Sequence, residues 1–204
     1  LDPTQRVYVV DDDEPMRDSL VWLLESKGLR VEAYASAEEF LEQVPEDARG
    51  CLVLDVRMPG MSGLELFERL AGRVALPVIF VTGHGDVPMA VSAVKKGAVD
   101  FIEKPFNDVE MLGLVEKCLA AERSERADRA RRSEARARLA TLTEREREVM
   151  EKVVAGRLNK QIADDLGIAM KTVEAHRARV MEKLAVGSVA ELVQLVMESG
   201  GARR

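Results

Sequence analysis

The sequence predicts an α/β doubly wound five-stranded parallel sheet, joined by a helical linker to a small all-α domain with a helix-turn-helix pattern. Three observations carry that prediction. Short apolar runs alternate with helical periodicity over residues 1–120, the mark of strands and helices in turn. Large apolar residues vanish between Ala120 and Arg138. Beyond Thr143 only helical periodicity remains. Charge divides the chain in the same places. Residues 1–120 carry 22 acidic and 12 basic side chains, residues 121–140 carry 4 and 7, and residues 141–204 carry 10 and 11. We therefore divide the chain at 1–120, 121–140 and 141–204, with different partners expected for the acidic front and the mildly basic rear.

The elements follow in order. Val7-Tyr8-Val9-Val10 reads as a strand by its β-branched content and stops at Asp11-Asp12-Asp13. Met16, Leu20, Leu23 and Leu24 give a helix ended by Lys27-Gly28, and Val31 and Tyr34 mark a second strand. Ser36-Ala37-Glu38-Glu39 is a capping box opening a helix through Phe40 and Leu41. Cys51-Leu52-Val53-Leu54 is a strand buried on both faces, ending at Asp55 before the turn Met58-Pro59-Gly60. Ser62-Gly63-Leu64-Glu65 caps a helix through Leu66 and Leu70, and Pro77 to Thr82 is the fourth strand. A helix runs from Asp86 to Lys96, Val99 to Ile102 is the fifth strand, and a further helix begins near Asn107.

A parallel sheet brings its strand ends to one edge, where ligands bind in open α/β sheets. Asp11, Asp12, Asp13, Asp55, Thr82 and Lys104 all follow or end strands there. Asp55 alone reads as a cap for the next loop; in that company it reads as a reactive carboxylate. Gathered carboxylates repel one another unless a cation joins them, and hard oxygen ligands suit Mg²⁺. A Ser–His pair and a phosphate-binding glycine loop are both missing, so hydrolase and nucleotide-binding readings lack their residues. Cys51 and Cys118 lack metal-ligand spacing and read as reduced core thiols of a cytoplasmic protein. No apolar run has the length of a membrane span. The chain opens Leu1-Asp2-Pro3-Thr4 without an initiator methionine or a visible secretion signal, and a trimmed or partial N-terminus is expected.

Val10-Asp11-Asp12 with Arg17, then Asp55, Met58-Pro59-Gly60, Thr82 and Lys104-Pro105, together resemble the receiver domain of two-component response regulators over residues 6–120. The runs from Thr82 to Ala90 and from Gly97 to Phe106 resemble its FixJ-type branch. The resemblance implies a flavodoxin-like receiver. It makes Asp55 the phosphoacceptor for a sensor histidine kinase, and Lys104 the group that offsets phosphoryl charge. Asp12, Asp55 and the Arg57 carbonyl would be direct Mg²⁺ ligands, with Asp11 acting through water. The triple Asp leaves its register open by one residue; the spacing to Arg17 favours Asp11 and Asp12 over Asp13. It implies a cis Lys104-Pro105 bond and a switch in which Thr82 turns to the phosphoryl group and Phe101 turns inward. Phe101 reads equally as a permanent core aromatic. Dimerisation would use the face carrying Val91, Val94 and Lys95.

High Ala, Arg and Glu make residues 120–138 a solvated helix rather than a coiled coil, because alanine at 120, 127, 130 and 137 buries too little to hold a seam. Thr143-Glu144-Arg145-Glu146 caps a helix ended by Gly156; Asn159 to Leu166 is a short helix, Gly167 a turn, and Lys171 to Leu184 a longer helix. Leu142 to Glu146, Asn159 to Ala163, Thr172 to His176 and Lys183-Leu184 resemble the LuxR-type DNA-binding domain over residues 139–200. Helical spacing buries Val173, Val180 and Leu184 and turns Lys171, Ala175, Ala178, Arg179 and Glu182 outward, flanked by Thr172 and Glu174. That face is expected in the major groove of double-stranded DNA. Glu174 suits cytosine N4, Ala175 and Ala178 a thymine methyl, and Lys160, Lys171, Thr172, His176 and Arg179 the phosphates. Glu174 paired with Lys171, and His176 as a packing residue, are the plainer alternatives. Arg177 must snorkel from the buried stripe. Where the family commonly has serine at the start of the recognition helix, this chain has Ala169.

These readings converge on a response regulator whose phosphorylation drives a homodimer onto paired half-sites, with RNA polymerase a further partner and no membrane contact. A phosphate-independent transcription factor with a receiver-like domain is the alternative. An Mg²⁺-dependent aspartyl-phosphate phosphatase would need an acid two residues beyond Asp55, where Arg57 stands.

Overall fold

The computed structural model of the chain describes residues 2–83 and 87–200. Two compact units divide between Glu125 and Arg126. The first holds β1 (Arg6–Val10), α1 (Glu14–Glu25), β2 (Val31–Tyr34), α2 (Ala37–Gln43), β3 (Gly50–Asp55), α3 (Gly63–Leu70), β4 (Val78–Thr82), α4 (Val87–Lys95) and β5 (Asp100–Glu103). The strands form one parallel sheet in the order β2-β1-β3-β4-β5, the doubly wound order of flavodoxin-like folds. Alternate residues of each strand feed opposite cores. Tyr8, Val10, Leu52, Leu54 and Phe80 pack beneath Phe40, Leu66 and Ala93. Val7, Val9, Cys51, Val53 and Ile79 pack beneath Leu20, Leu24, Met111 and Val115. Helices therefore cover both faces, which is why the strands read as unbroken apolar runs. Both thiols are free and buried, and burial pushes Cys118 up to about 11 and Cys51 well above its ordinary value.

Two of the three expected capping boxes form, at Ser62 and Thr143; at Ser36 only the serine half does, because the Glu39 carboxylate accepts from the Ala35 N–H at 2.8 Å and not from Ser36. Ser36 accepts from the Glu39 N–H, and Ser62 and Glu65 form a reciprocal capping box at α3. Lys104-Pro105 is cis. The expected start of the fourth helix at Asp86 lies outside the described residues.

The helix α5 (Asp108–Ala140) runs unbroken through the segment set apart above as a linker. That segment is not wholly solvated. Glu122 is buried, with its carboxylate accepting from Gln5 Nε2 at 2.5 Å, and the same amide donates to the Leu119 carbonyl at 2.7 Å. Ala135 is buried in the core of the second unit, where the small side chain lets α5 approach closely.

The second unit continues with α6 (Glu144–Val154), α7 (Asn159–Leu166), α8 (Met170–Lys183) and α9 (Val189–Glu198). The sequence predicts the first three; α9 adds a fourth, capped by Ser188. Leu142, Val149, Ile162, Val173, Val180, Leu184 and Leu192 close the core. Gly167, in the left-handed region at φ 64°, makes the turn between α7 and α8.

Candidate functional site

At the carboxyl edge of the sheet, parallel register sets Val10 beside Leu54 and Asp55 beside Val81. Asp11, one residue past β1, and Asp55, last in β3, therefore meet at one rim. Ligand oxygens of Asp11, Asp12 and Asp55 lie within 4.8 Å of one another; Asp11 and Asp55 are buried and Asp12 is exposed. Asp13 stands outside this group as the residue preceding α1, and its N–H donates to Asp11 Oδ1 at 2.9 Å. Arg17 reaches back to the Asp11 carbonyl at 2.7 Å, which fixes the turn that aims the carboxylates. The Arg57 N–H donates to Asp55 Oδ1 at 3.1 Å.

Lys104 joins the cluster from the end of β5. Its ammonium donates to Asp55 Oδ2 at 2.8 Å and to Asp11 Oδ2 at 2.9 Å. Its backbone N–H donates to the Thr82 carbonyl at 2.8 Å, which anchors the lysine to the end of β4. Burial works to lower the Lys104 pKa, but its bonds to Asp55 and Asp11 outweigh that and raise it. Burial raises Asp11 above the ordinary carboxylate range, with the Asp55 charge adding and Lys104 opposing. Hard carboxylate oxygens with no soft ligand among them form a donor set that fits Mg²⁺. Thr82 is fully buried, and its hydroxyl has no hydrogen-bond partner among the described residues. Phe101 is half-buried against the core beside it. On α4, Val91 and Lys95 are exposed and Val94 is half-buried against the core.

A close approach that sequence reasoning missed supports the rim. A Cβ on Gly63, the first residue of α3, would lie 2.0 Å from the Asp55 carbonyl oxygen, and the Gly63 N–H donates to the Val56 carbonyl at 3.0 Å. Only glycine lets α3 start against the peptide that carries Asp55.

In the second unit, Lys160, Lys171, Thr172, Glu174, Ala175, Ala178 and Arg179 are exposed. Glu174 makes no ion pair with Lys171 among the described residues. His176 is half-buried and its Nδ1 lacks a partner there, so it is not a hydrogen-bonded packing histidine. Arg177 snorkels as expected, its Nη1 2.5 Å from Asn159 Oδ1, and so ties α8 to the start of α7. Ala169 precedes α8 with no side-chain cap. The other end of α8 is held by pairings that sequence reasoning did not reveal. Lys183 donates to the buried Glu146 carboxylate at 2.7 Å, and this ammonium together with the Thr143 N–H holds Glu146 at about 2. Arg138 donates to the carbonyls of Leu184 and Ala185, and Arg136 to that of Ser199, so two arginines of α5 cap the C-termini of α8 and α9. Basic residues in the last turns of α5 were the available signal; their partners, far along the chain, were not.

Comparison with known proteins finds two family matches along the chain. Residues 7–116 match the family described as response regulator receiver domain, and residues 140–196 match the bacterial regulatory proteins of the luxR family. The chain is 50% identical over 198 residues to the transcriptional regulatory protein FixJ of Azorhizobium caulinodans, covering 96% of this chain and 93% of that protein. Its fold is similar to the low-resolution structure of the response regulator StyR, with a TM-score of 0.87, 44% identity and coverage of 96% and 99%. Full-length FixJ from B. japonicum gives a TM-score of 0.60 at 44% identity, with 98% of each chain covered.

Proposed function

Because the chain belongs to the response regulators that join a receiver domain to a LuxR-type DNA-binding domain and control transcription, we propose that Asp55 is its phosphoacceptor. One observation supports this above the rest: Lys104 bridges Asp55 and Asp11 at 2.8 and 2.9 Å, with the Asp12 carboxylate beside them. An Asp55 oxygen forms the new O–P bond as the P–N bond of a kinase phosphohistidine breaks, and the imidazole nitrogen departs with the electron pair. Such transfer needs positioning and charge neutralisation more than covalent chemistry from the protein. Lys104 neutralises phosphoryl oxygens from one side. Asp11, Asp12, Asp55 and the Arg57 carbonyl would hold Mg²⁺, which when bound supplies further neutralisation of the transferring group. The chain's own catalysis ends with its phosphorylation and dephosphorylation.

The incoming group adds roughly −1.5 to −2 charges and strong acceptor oxygens. The Thr82 hydroxyl, without a partner among the described residues, is the side-chain donor that β4 carries, and its movement lets Phe101 turn inward. The face with Val91, Val94 and Lys95 then joins a second copy, and the dimer presents two copies of α8 to paired half-sites. Glu174, Ala175 and Ala178 read bases, while Lys160, Lys171, Thr172, His176 and Arg179 hold phosphates. The setting is the cytoplasm, with RNA polymerase downstream; no described helix is long and apolar enough to cross a membrane.

The test is phosphorylation by acetyl phosphate with Mg²⁺, followed by mass spectrometry. One hydroxylamine-labile phosphoryl group is expected on the full chain and none on Asp55→Asn. Equal labelling of Asp55→Asn would overturn the assignment.

A further inference from the structure

Among the described residues Met170 is the one large apolar side chain exposed on α8, at 52%; Val173 and Val180 of the same helix are buried. It is the first residue of the helix. In a helix-turn-helix the N-terminal residues of the second helix meet the base edges. Met170, Glu174 and Ala178 stand four residues apart, so they form one ridge along α8, with neighbours separated by roughly 6 Å along the axis. That spacing is close to two base-pair steps of about 3.4 Å. Glu174 and Ala178 are exposed on that ridge, and Lys171 and Arg179, also exposed, flank it with positive charge. A long, unbranched thioether in this place is suited to one kind of base feature. It offers a base edge no donor and only a weak acceptor, and it adapts its shape to an apolar group. The major groove presents one such group, the thymine C5 methyl.

We infer that Met170 is a specificity-determining residue that contacts a thymine methyl about two base pairs from the position read by Glu174. The inference rests on the reading of α8 as the element that enters the major groove. It adds a base position outside the set assigned above to Glu174, Ala175 and Ala178.

The experiment selects binding sites from a random-sequence duplex pool, using the full chain with beryllofluoride and Mg²⁺. Besides any thymine read by Ala175 or Ala178, the wild type should select in each half-site a thymine about two base pairs from the position read by Glu174. Replacing that thymine by deoxyuridine, which removes only the methyl group, should weaken binding roughly fourfold, the worth of one buried methyl. Met170→Ala should lose both the thymine preference and the deoxyuridine effect while leaving the rest of the consensus unchanged. Met170→Gln should move the preference at that position towards adenine, to which glutamine bonds in bidentate fashion. An unchanged thymine preference and deoxyuridine effect in Met170→Ala would overturn the role of Met170 and leave the reading of α8 standing. Failure of the wild type to select any consensus would overturn that reading, and the inference with it.

Discussion

Replacing Ala169 by serine should stabilise the second unit by about 1 kcal/mol, within the range of roughly 0.5–2 kcal/mol measured for helix caps. The magnitude follows from a comparison inside this molecule. Ser62 and Thr143 cap α3 and α6 from backbone angles of φ −69°, ψ 158° and φ −65°, ψ 162°. Their hydroxyls accept from the Glu65 and Glu146 N–H groups, both at 3.3 Å. Ala169 already holds φ −66°, ψ 144° and offers no acceptor. A serine there needs no backbone change to reach the Lys171 N–H; the Thr172 N–H already donates to the Ala169 carbonyl at 2.9 Å, so the gain falls in the lower half of that range. For a domain of this size 1 kcal/mol corresponds to a rise of about 4–8 °C in melting temperature. The single tryptophan, Trp22, lies in α1 of the first unit. Fluorescence therefore follows the first unit alone, while helical circular dichroism follows both. Melting of the full chain should show the dichroism transition of the second unit moved upward and the fluorescence transition unmoved. Ala169→Val, which adds bulk without an acceptor, should bring no gain. If serine and valine behave alike, the first turn of α8 lacks no acceptor and the reasoning fails.

Two further outcomes follow from the same geometry. Glu146 is held at about 2 in the folded protein, below the ordinary glutamate value of roughly 4.3, so its pairing with Lys183 contributes stability above that value and loses it as pH falls towards 2. Urea unfolding between pH 5 and pH 2 should show that loss in the wild type and a flatter profile in Glu146→Gln; equal slopes would refute the pairing. Gly63→Ala should cost about 1–3 kcal/mol and depress phosphoryl uptake, because its Cβ would lie 2.0 Å from the Asp55 carbonyl oxygen. The contrast is Gly113→Ala in α5, where nothing lies within 4 Å of the added Cβ and up to about 1 kcal/mol of helix propensity is gained. Chemical unfolding of both variants checks the pair, and a Gly63→Ala protein of wild-type stability would refute the close contact.

What was legible in the sequence was what periodicity and local chemistry encode. The strands stood out because β1, β3 and β4 are buried on both faces, and Asp55 because a carboxylate closes such a run. Ser36, Ser62 and Thr143 announced their helices through partners three residues away. The pairs that stayed hidden join distant parts of the chain. Gln5 meets Glu122, Arg136 meets Ser199, and Arg138 meets Leu184. The place of the two arginines in the last turns of α5 was the available hint, and nothing local named their partners. Ala135 was hidden for another reason: its side chain is too small to register as a core residue, yet it is buried. Gly63 read as part of a capping box, while its stronger constraint, the approach to Asp55, exists only once α3 folds against β3.

The two units treat buried charge in opposite ways, and that difference separates function from scaffolding. Glu146 faces one ammonium, and its carboxylate also accepts from the Thr143 N–H, so the pair is closed. At the sheet rim the buried carboxylates of Asp11 and Asp55 share the ammonium of Lys104, with the exposed Asp12 carboxylate beside them, and the buried Thr82 hydroxyl at the end of β4 has no partner among the described residues. An orphaned buried hydroxyl costs roughly 1–3 kcal/mol, and excess carboxylate at a buried site costs more. A scaffold gains nothing from either. Both deficits are of the kind a bound cation and a phosphoryl group would remedy, the cation by balancing the carboxylates and the phosphoryl oxygens by accepting from Thr82. On the proposed function, occupancy of Asp55 would draw Thr82, at the end of β4, towards the phosphoryl group, because carboxylate charge and a hydroxyl without a partner among the described residues lie together at this rim.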